Sequence, residues 1–268
     1  MLMATEQILT KDQIEEFHEN GFLVLRNFAS VEEIQKIIPI YRKLFDNKVG
    51  REMGLQFDLG GADDNDEREV LPQILGPSTF FPELKEGDHY KKVAQIAREI
   101  FNVPTDNVCG GDHAILKPAH YGSVTPWHQD EAYWVPDSIH EAFSVWMPLQ
   151  DVTVESGCMQ FIPGSHKNGI LKHQHINNNP KIHALETFDY DETKAVACPL
   201  KMGDVTVHHC RTLHYTAANN TSKDRLALIV GGHGKSIKLD KPKDMPWNEK
   251  NNETPRAIRR KEYDEKNK

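Results

Sequence analysis

The 268-residue chain has few cysteines, no long apolar run and no excess of basic residues, and each shortage excludes something. Its four cysteines, Cys109, Cys158, Cys198 and Cys210, include no C-x-x-C pair. That argues against a zinc ribbon or a dense disulfide framework and leaves them as small buried hydrophobes. No stretch approaches the roughly 20 apolar residues a membrane span needs, and Met1 to Thr10 shows neither a basic n-region nor an apolar h-region. A cytoplasmic protein with no membrane contact is expected. The 32 Lys and Arg are outnumbered by 40 Asp and Glu, for a net charge of -8, so the basic face on which nucleic-acid affinity rests is missing. Asn-x-Ser/Thr matches at Asn219 and Asn220 are discounted in the absence of a secretory signal.

Histidine, by contrast, is plentiful. There are 14, and all but His18 and His89 lie between His113 and His233. Histidine is the commonest metal ligand and titrates near neutral pH, so the second half of the chain is where chemistry is sought.

The N-terminal part reads as helical. Thr10-Lys11-Asp12-Gln13 has capping-box spacing, predicting a helix over 11–19 that Gly21 ends. Phe22 to Arg26 follows as a strand, and Ser30-x-x-Glu33 opens a second helix in which Pro39 should introduce a kink. A third helix is predicted from Tyr90 to Phe101. The acidic run from Asp58 to Glu69 reads as a solvated loop. From residue 113 the pattern changes to short strands at 113–117, 142–149, 158–162, 194–198, 204–208, 212–216 and 225–231, separated by Pro and Gly. Helices followed by many short strands suggest a mainly β sandwich or barrel with flanking helices. The polar segment after Gly234 reads as a loose cover or disorder.

Within Trp127-His128-Gln129-Asp130, the His and Asp stand two apart, so on an extended segment both project to one side. A second imidazole would complete a 2-His-1-carboxylate face, which leaves positions of an octahedral ion open and is diagnostic of non-haem Fe(II) oxygenases. The candidates are His208, His209, His214 and His233. His214 is singled out by Thr216 two positions on and Arg225 eleven positions on, because an arginine on the next antiparallel strand can clamp a carboxylate inside the same barrel. Arg211 is a rival cation that reads as facing solvent or an acidic neighbour. His208 and His209 are adjacent and point to opposite faces, so at most one reaches a pocket, and neither is read as a ligand. His173, His175 and His183 lie in a polar, Asn-rich stretch and read as exposed.

Taken together, the chain resembles the phytanoyl-CoA dioxygenase family of Fe(II)- and 2-oxoglutarate-dependent oxygenases. The resemblance rests on Trp127-His128-Gln129-Asp130 with Tyr133, on Trp146-Met147-Pro148-Leu149-Gln150-Asp151-Val152-Thr153, and on Glu155-Ser156-Gly157-Cys158. Phe161-Ile162-Pro163-Gly164-Ser165-His166, Gly203-Asp204, His214, Asn219 and Arg225 continue it, with Gly21-Phe22-Leu23-Val24-Leu25 near the start.

The resemblance implies a double-stranded β-helix, a cupin-like jelly-roll barrel, as a single oxygenase domain over 1–234. Its helical part covers about 1–110 and its barrel core about 111–234, with 235–268 as a polar tail. It makes His128, Asp130 and His214 iron ligands and Arg225 the partner of the distal carboxylate of the cosubstrate 2-oxoglutarate. Thr216, Trp146 and Gln129 fall at cosubstrate-pocket positions, and His113 and Gln73 near the other end of 2-oxoglutarate. Dioxygen is the third reactant and ascorbate a candidate reductant. Related halogenases replace the ligand carboxylate with a small residue; Asp130 is present, which favours oxygenation. The expected reaction is hydroxylation of a small-molecule metabolite or natural-product intermediate, releasing succinate and CO2. A coenzyme A thioester fits poorly with an acidic chain that has no evident basic cluster near its pocket motifs. The alternative is a non-catalytic jelly-roll protein that binds a metal or small ligand.

Overall fold

A computed structural model describes residues 7–63, 68–103 and 109–268. The strands are β1 (Phe22–Leu25), β2 (Gln56–Asp58), β3 (Pro72–Leu75), β4 (Cys109–Lys117), β5 (Thr125–His128), β6 (Ser138–Pro148), β7 (Met159–Phe161), β8 (Gln174–His175), β9 (Leu185–Glu186), β10 (Val196–Cys198), β11 (Val205–His209), β12 (His214–Thr216) and β13 (Arg225–Lys238). The helices are α1 (Lys11–Asn20), α2 (Val31–Asp46), α3 (Pro77–Phe80), α4 (Asp88–Phe101) and α5 (Pro255–Lys266). Seven strands form one sheet in the order β1-β11-β6-β13-β4-β3-β2, and four form a second in the order β10-β7-β12-β5. Every pairing within both sheets is antiparallel. This is the mainly β, helix-flanked double-stranded β-helix that the sequence implies.

Period-two alternation divides the large sheet into two faces. Leu23 and Leu25, Phe143, Val145 and Met147, Val205 and Val207, and Leu226, Leu228 and Val230 pack against α1, α2 and α4 in the larger core. The residues between them, Phe22, Trp146, Ala227 and Ile229, turn the other way and meet Met159 and Phe161 of the small sheet. The barrel interior is therefore assigned one residue at a time by parity along each strand, and Arg225 and His208 fall on the inner parity.

The helices begin where local chemistry directs. Thr10 Oγ1 accepts from the Gln13 amide at 3.2 Å while Gln13 Oε1 accepts from the Thr10 amide at 2.9 Å, and Gly21 ends α1 in the left-handed region at φ 79°. Ser30 caps α2, which runs on to Asp46 with Pro39 inside it.

Two expectations are corrected. Asp58 and Asp63 of the acidic run are buried: Asp58 accepts three backbone N–H bonds from Gly60, Val70 and Leu71, and Asp63 pairs with Arg51 and Arg259. Residues 64–67 of that run lie outside the described residues. The C-terminal segment is neither loose nor unstructured, since β13 extends to Lys238 and α5 docks back on the body. Lys243 donates to the buried Glu131 at 2.5 Å, the Trp247 indole donates to the Ala132 carbonyl at 2.9 Å, and Arg256 donates to the Gly54 carbonyl at 3.0 Å. Gly54, at φ 66°, lies so close that a Cβ there would stand 2.3 Å from the Arg256 carbonyl oxygen, so only glycine allows the helix this approach. No described helix is long and apolar enough to cross a membrane.

Candidate active site

A cavity of about 1460 Å3 is lined by inward-facing residues of both sheets and, at one side, by α5. Inside it, His128, Asp130 and His214 each offer a ligand atom within 4.8 Å of the others. The local fold explains the convergence. On the paired strands β5 and β12, His128 stands opposite His214 and Thr125 opposite Thr216. Two residues of β5, Pro126 and Trp127, thus face the single Tyr215. This is a bulge, and Pro126, which has no N–H to lose from the ladder, sits in it. The imidazole N–H at His128 Nδ1 donates to the Pro126 carbonyl at 2.7 Å. His214 repeats the device, donating from Nδ1 to the Thr212 carbonyl at 2.8 Å. A carbonyl can only accept, so Nδ1 of each ring carries a proton and Nε2 is the nitrogen turned to the centre, which in the neutral tautomer is free to ligate a metal. Burial and the neighbouring His214 also push His128 well below the ordinary histidine pKa, keeping it neutral.

Asp130 supplies the carboxylate. Its Oδ1 lies 3.9 Å from His128 Nε2 and 3.4 Å from His214 Nε2. Its Oδ2 accepts from Ser144 Oγ at 2.8 Å and lies 3.3 Å from His208 Nε2. Burial works to raise this carboxyl, but His214 and the His208 contact outweigh it and hold it well below the usual range, so it is an anion at neutral pH. One oxygen is fixed by the protein and the other faces the two Nε2 atoms.

Arg225 lines the same cavity with Trp146, Thr216 and Thr125. It is 1% exposed, its guanidinium lies 5.4 Å from the Trp146 ring centroid, and its Nε and Nη1 have no hydrogen-bond partner among the described residues. Burial lowers its pKa to about 10, which still leaves it charged. A buried cation with no anion costs several kcal/mol, so the site is built for one. Lys117, paired with Arg225 across β4 and β13, cannot serve instead, because its ammonium donates to the carbonyls of Ser123, Thr216 and Ala217. Arg211 pairs with Glu131 at 3.3 Å, the acidic neighbour expected for it.

His113 and Gln73 both line the cavity. Gln129 does not: parity turns it away from its neighbours 128 and 130, and it spends its amide on Gly169, Leu171 and Arg211. It therefore ties the loops around Gly169, Leu171 and Arg211 together and does not line the cavity. His173 and His175 are buried, not exposed; the His173 ring accepts from the Gln129 amide at 3.2 Å. His183 is half-buried and lines the cavity, as do Arg256, Arg260 and Lys261 of α5 together with its Asp264 and Glu265, so the basic groups not evident near the pocket motifs arrive from the C-terminal segment, mixed with acidic ones. His208 and Ser144 were not singled out as site residues. His208 occupies the inner parity and His209 the outer, against Phe17, at a ring-centroid distance of 6.2 Å. Pairing of β11 with β6 places His208 opposite Ser144, a signal that only strand register could have supplied.

Comparison with known proteins agrees with this geometry. The family model described as phytanoyl-CoA dioxygenase matches residues 17–227. A Stutzerimonas stutzeri protein described as a probable alpha-ketoglutarate-dependent hypophosphite dioxygenase is 24% identical, over 82% of this chain and 77% of its own. Phytanoyl-CoA dioxygenase 1 of Oryza sativa subsp. japonica is 29% identical, over 83% of this chain and 88% of its own. Among solved structures, EvdO2 from Micromonospora carbonacea var. aurantiaca, complexed with 2-oxoglutarate, superposes with a TM-score of 0.77 at 33% identity, covering 91% of this chain and 99% of that one. The chain belongs to the phytanoyl-CoA dioxygenase family and is a 2-oxoglutarate-dependent non-haem iron dioxygenase.

Proposed function

We propose that this enzyme hydroxylates a C–H bond of a small-molecule metabolite or natural-product intermediate in the cytoplasm, releasing succinate and CO2, with α5 part of the same catalytic unit as residues 1–234. The observation that carries the reading is the sharing of one cavity by a His-Asp-His face whose Nε2 atoms turn to the centre and a buried arginine with no anion among the described residues. His128, Asp130 and His214 would hold Fe(II), and Arg225 would take the distal carboxylate of 2-oxoglutarate. Bound together, iron, 2-oxoglutarate and dioxygen supply the oxidative decarboxylation and the oxidising power for the C–H bond.

The chain's own residues bind, orient and exclude water. Arg225 presents a planar fork to a carboxylate, and Trp146 covers its flank. Thr216 Oγ1 donates to Thr125 Oγ1 at 2.9 Å, setting two hydroxyls beside that anchor. Ser144 and His208 hold Asp130 Oδ2, so that Oδ1 alone is left for the metal. Tyr133 lines the cavity and packs edge-on against His128, with ring centroids 5.9 Å apart.

Anaerobic titration of the Fe(II)-loaded protein with 2-oxoglutarate tests the reading. A weak visible charge-transfer band that saturates with one equivalent is expected, followed by succinate release under air with an accepted substrate. Folded, iron-loaded protein that shows no band is a binding module and not this enzyme.

A further inference from the structure

Besides Arg225, the cavity lining includes Arg256, a half-buried arginine with no carboxylate partner among the described residues. Three arginines of α5 face the body of the protein, and two are neutralised: Arg259 by Asp63 and Arg260 by Asp264, at 3.1 Å for the latter. Arg256 is not. Its Nε donates to the Gly54 carbonyl at 3.0 Å, its Nη1 lies 3.3 Å from His183 Nε2, and its guanidinium stacks 4.6 Å from the Phe57 ring centroid. Both hydrogen-bond partners are neutral acceptors, and among the described residues no carboxylate lies within ion-pair distance. An arginine has five N–H donors; two are engaged here, leaving three. The group is rigidly seated, half-buried and still charged, with burial followed by Arg259 and Arg260 lowering its pKa to about 10.

His183 contributes by fixing the fork. Arg256 can only donate, so His183 Nε2 accepts and its ring is neutral, consistent with burial pushing its pKa down to about 3. The imidazole therefore orients the guanidinium without cancelling its charge. The pair is also placed in relation to the metal face: Tyr133 packs against His128 on one side and against His183 on the other, with ring centroids 5.9 Å and 5.7 Å apart. Arg225 belongs to the group with Trp146 and Thr216, so the two unpaired arginines mark separate parts of one cavity. One 2-oxoglutarate carboxylate can neutralise only one of them, and the other is left for a different anion.

We propose that Arg256, oriented by His183, is the recognition point for an oxyanion on the primary substrate, a carboxylate or a phosphate monoester. The substrate then spans from this point past Tyr133 to the metal face, with the oxidised carbon at its far end. This rests on the oxygenase reading of the His-Asp-His face, and it narrows the substrate class from any small molecule to an anionic one.

The test uses Fe(II)-loaded protein held anaerobically at saturating 2-oxoglutarate and titrated calorimetrically with benzoate, phenyl phosphate and neutral benzamide. One of the two anions should bind at a single site at least tenfold more tightly than benzamide, and which one does so identifies the oxyanion. Arg256→Gln should weaken that anion at least tenfold while leaving the 2-oxoglutarate charge-transfer titration within twofold. Equal binding of anions and benzamide, or unchanged anion affinity in Arg256→Gln, overturns the proposal. Failure of the charge-transfer band itself overturns the oxygenase reading instead, so the two failures are distinguishable. Because Arg256 also anchors α5, a bromide soak of wild-type crystals grown with 2-oxoglutarate gives a variant-free reading: anomalous density on the Arg256 fork supports the subsite, and ordered bromide elsewhere with none at Arg256 refutes it.

Discussion

At the scale of single residues, the site separates groups that ligate from groups that position. His214 turns its Nε2 to the centre because its other nitrogen is committed to Thr212, whereas His208 has its Nε2 turned toward Asp130 Oδ2. The two should behave differently on substitution. His214→Ala should abolish stoichiometric Fe(II) binding, while His208→Ala should retain a site weakened roughly 10- to 100-fold, the usual cost of losing a group that orients a ligand. Equilibrium titration with Fe(II) or Mn(II) reads both, and equal losses would overturn the assignment of His214 as ligand and His208 as positioning group. Arg225→Ala should leave metal affinity intact and raise the 2-oxoglutarate concentration for half-saturation by at least 100-fold, on the order of 3 kcal/mol for a desolvated charge pair. Succinate formation and the charge-transfer titration check it. Asn219 shows the same lesson from the bland side: its amide donates to Lys117, Pro118 and Lys223 carbonyls in the interior, so the glycosylation match is a structural pin.

At the scale of elements, the close approach of α5 to Gly54 holds one wall of the cavity in place. Gly54→Ala should detach or displace this helix, since the methyl group meets the Arg256 carbonyl and a left-handed φ is imposed on alanine. Limited proteolysis should then cut within 239–266 in the variant and not in the parent, with a stability loss of about 1–3 kcal/mol in chemical denaturation. The element scale also shows what was legible beforehand. The spacing of His128 and Asp130, the capping box at Thr10 and the alternation of β6, β11 and β13 depend on neighbours one to four residues apart, and all three could be read directly. The role of α5 could not, because Arg256 meets Gly54 and Arg259 meets Arg51 across some two hundred residues. His208 was hidden for a subtler reason: in a His-His pair, parity says that the two part company, but only pairing with β6 decides which one enters the barrel. Gln129 erred in the opposite direction, since its place between two ligands in sequence is what turns it away from them in space.

At the scale of the whole molecule, buried histidines tie stability to pH. Burial lowers His173 to about 4 and His209 to about 3, whereas in the unfolded chain each titrates near 6.5. As pH falls below about 6.5 the unfolded state takes up protons that the folded state refuses, so stability present at neutral pH is lost toward the folded values, at up to ~1.4 kcal/mol per pH unit per histidine. Urea denaturation at about pH 7 and about pH 5 should show the decline before carboxylates titrate; a flat profile would mean these rings gain no protection from folding. The order of the small sheet has a last consequence. β5 is the edge strand of its sheet, laddered to β12 and held on its other edge by the Thr187 amide donating to the Trp127 carbonyl at 3.0 Å, while the candidate iron ligands straddle the β5–β12 seam, with His128 and Asp130 on one side and His214 on the other. An edge strand is the part of a sheet most easily peeled away. Iron in this position is a rivet as well as a reagent: chains that never receive it should open first at β5 and be cut between residues 119 and 137, and added Mn(II) should suppress that cleavage.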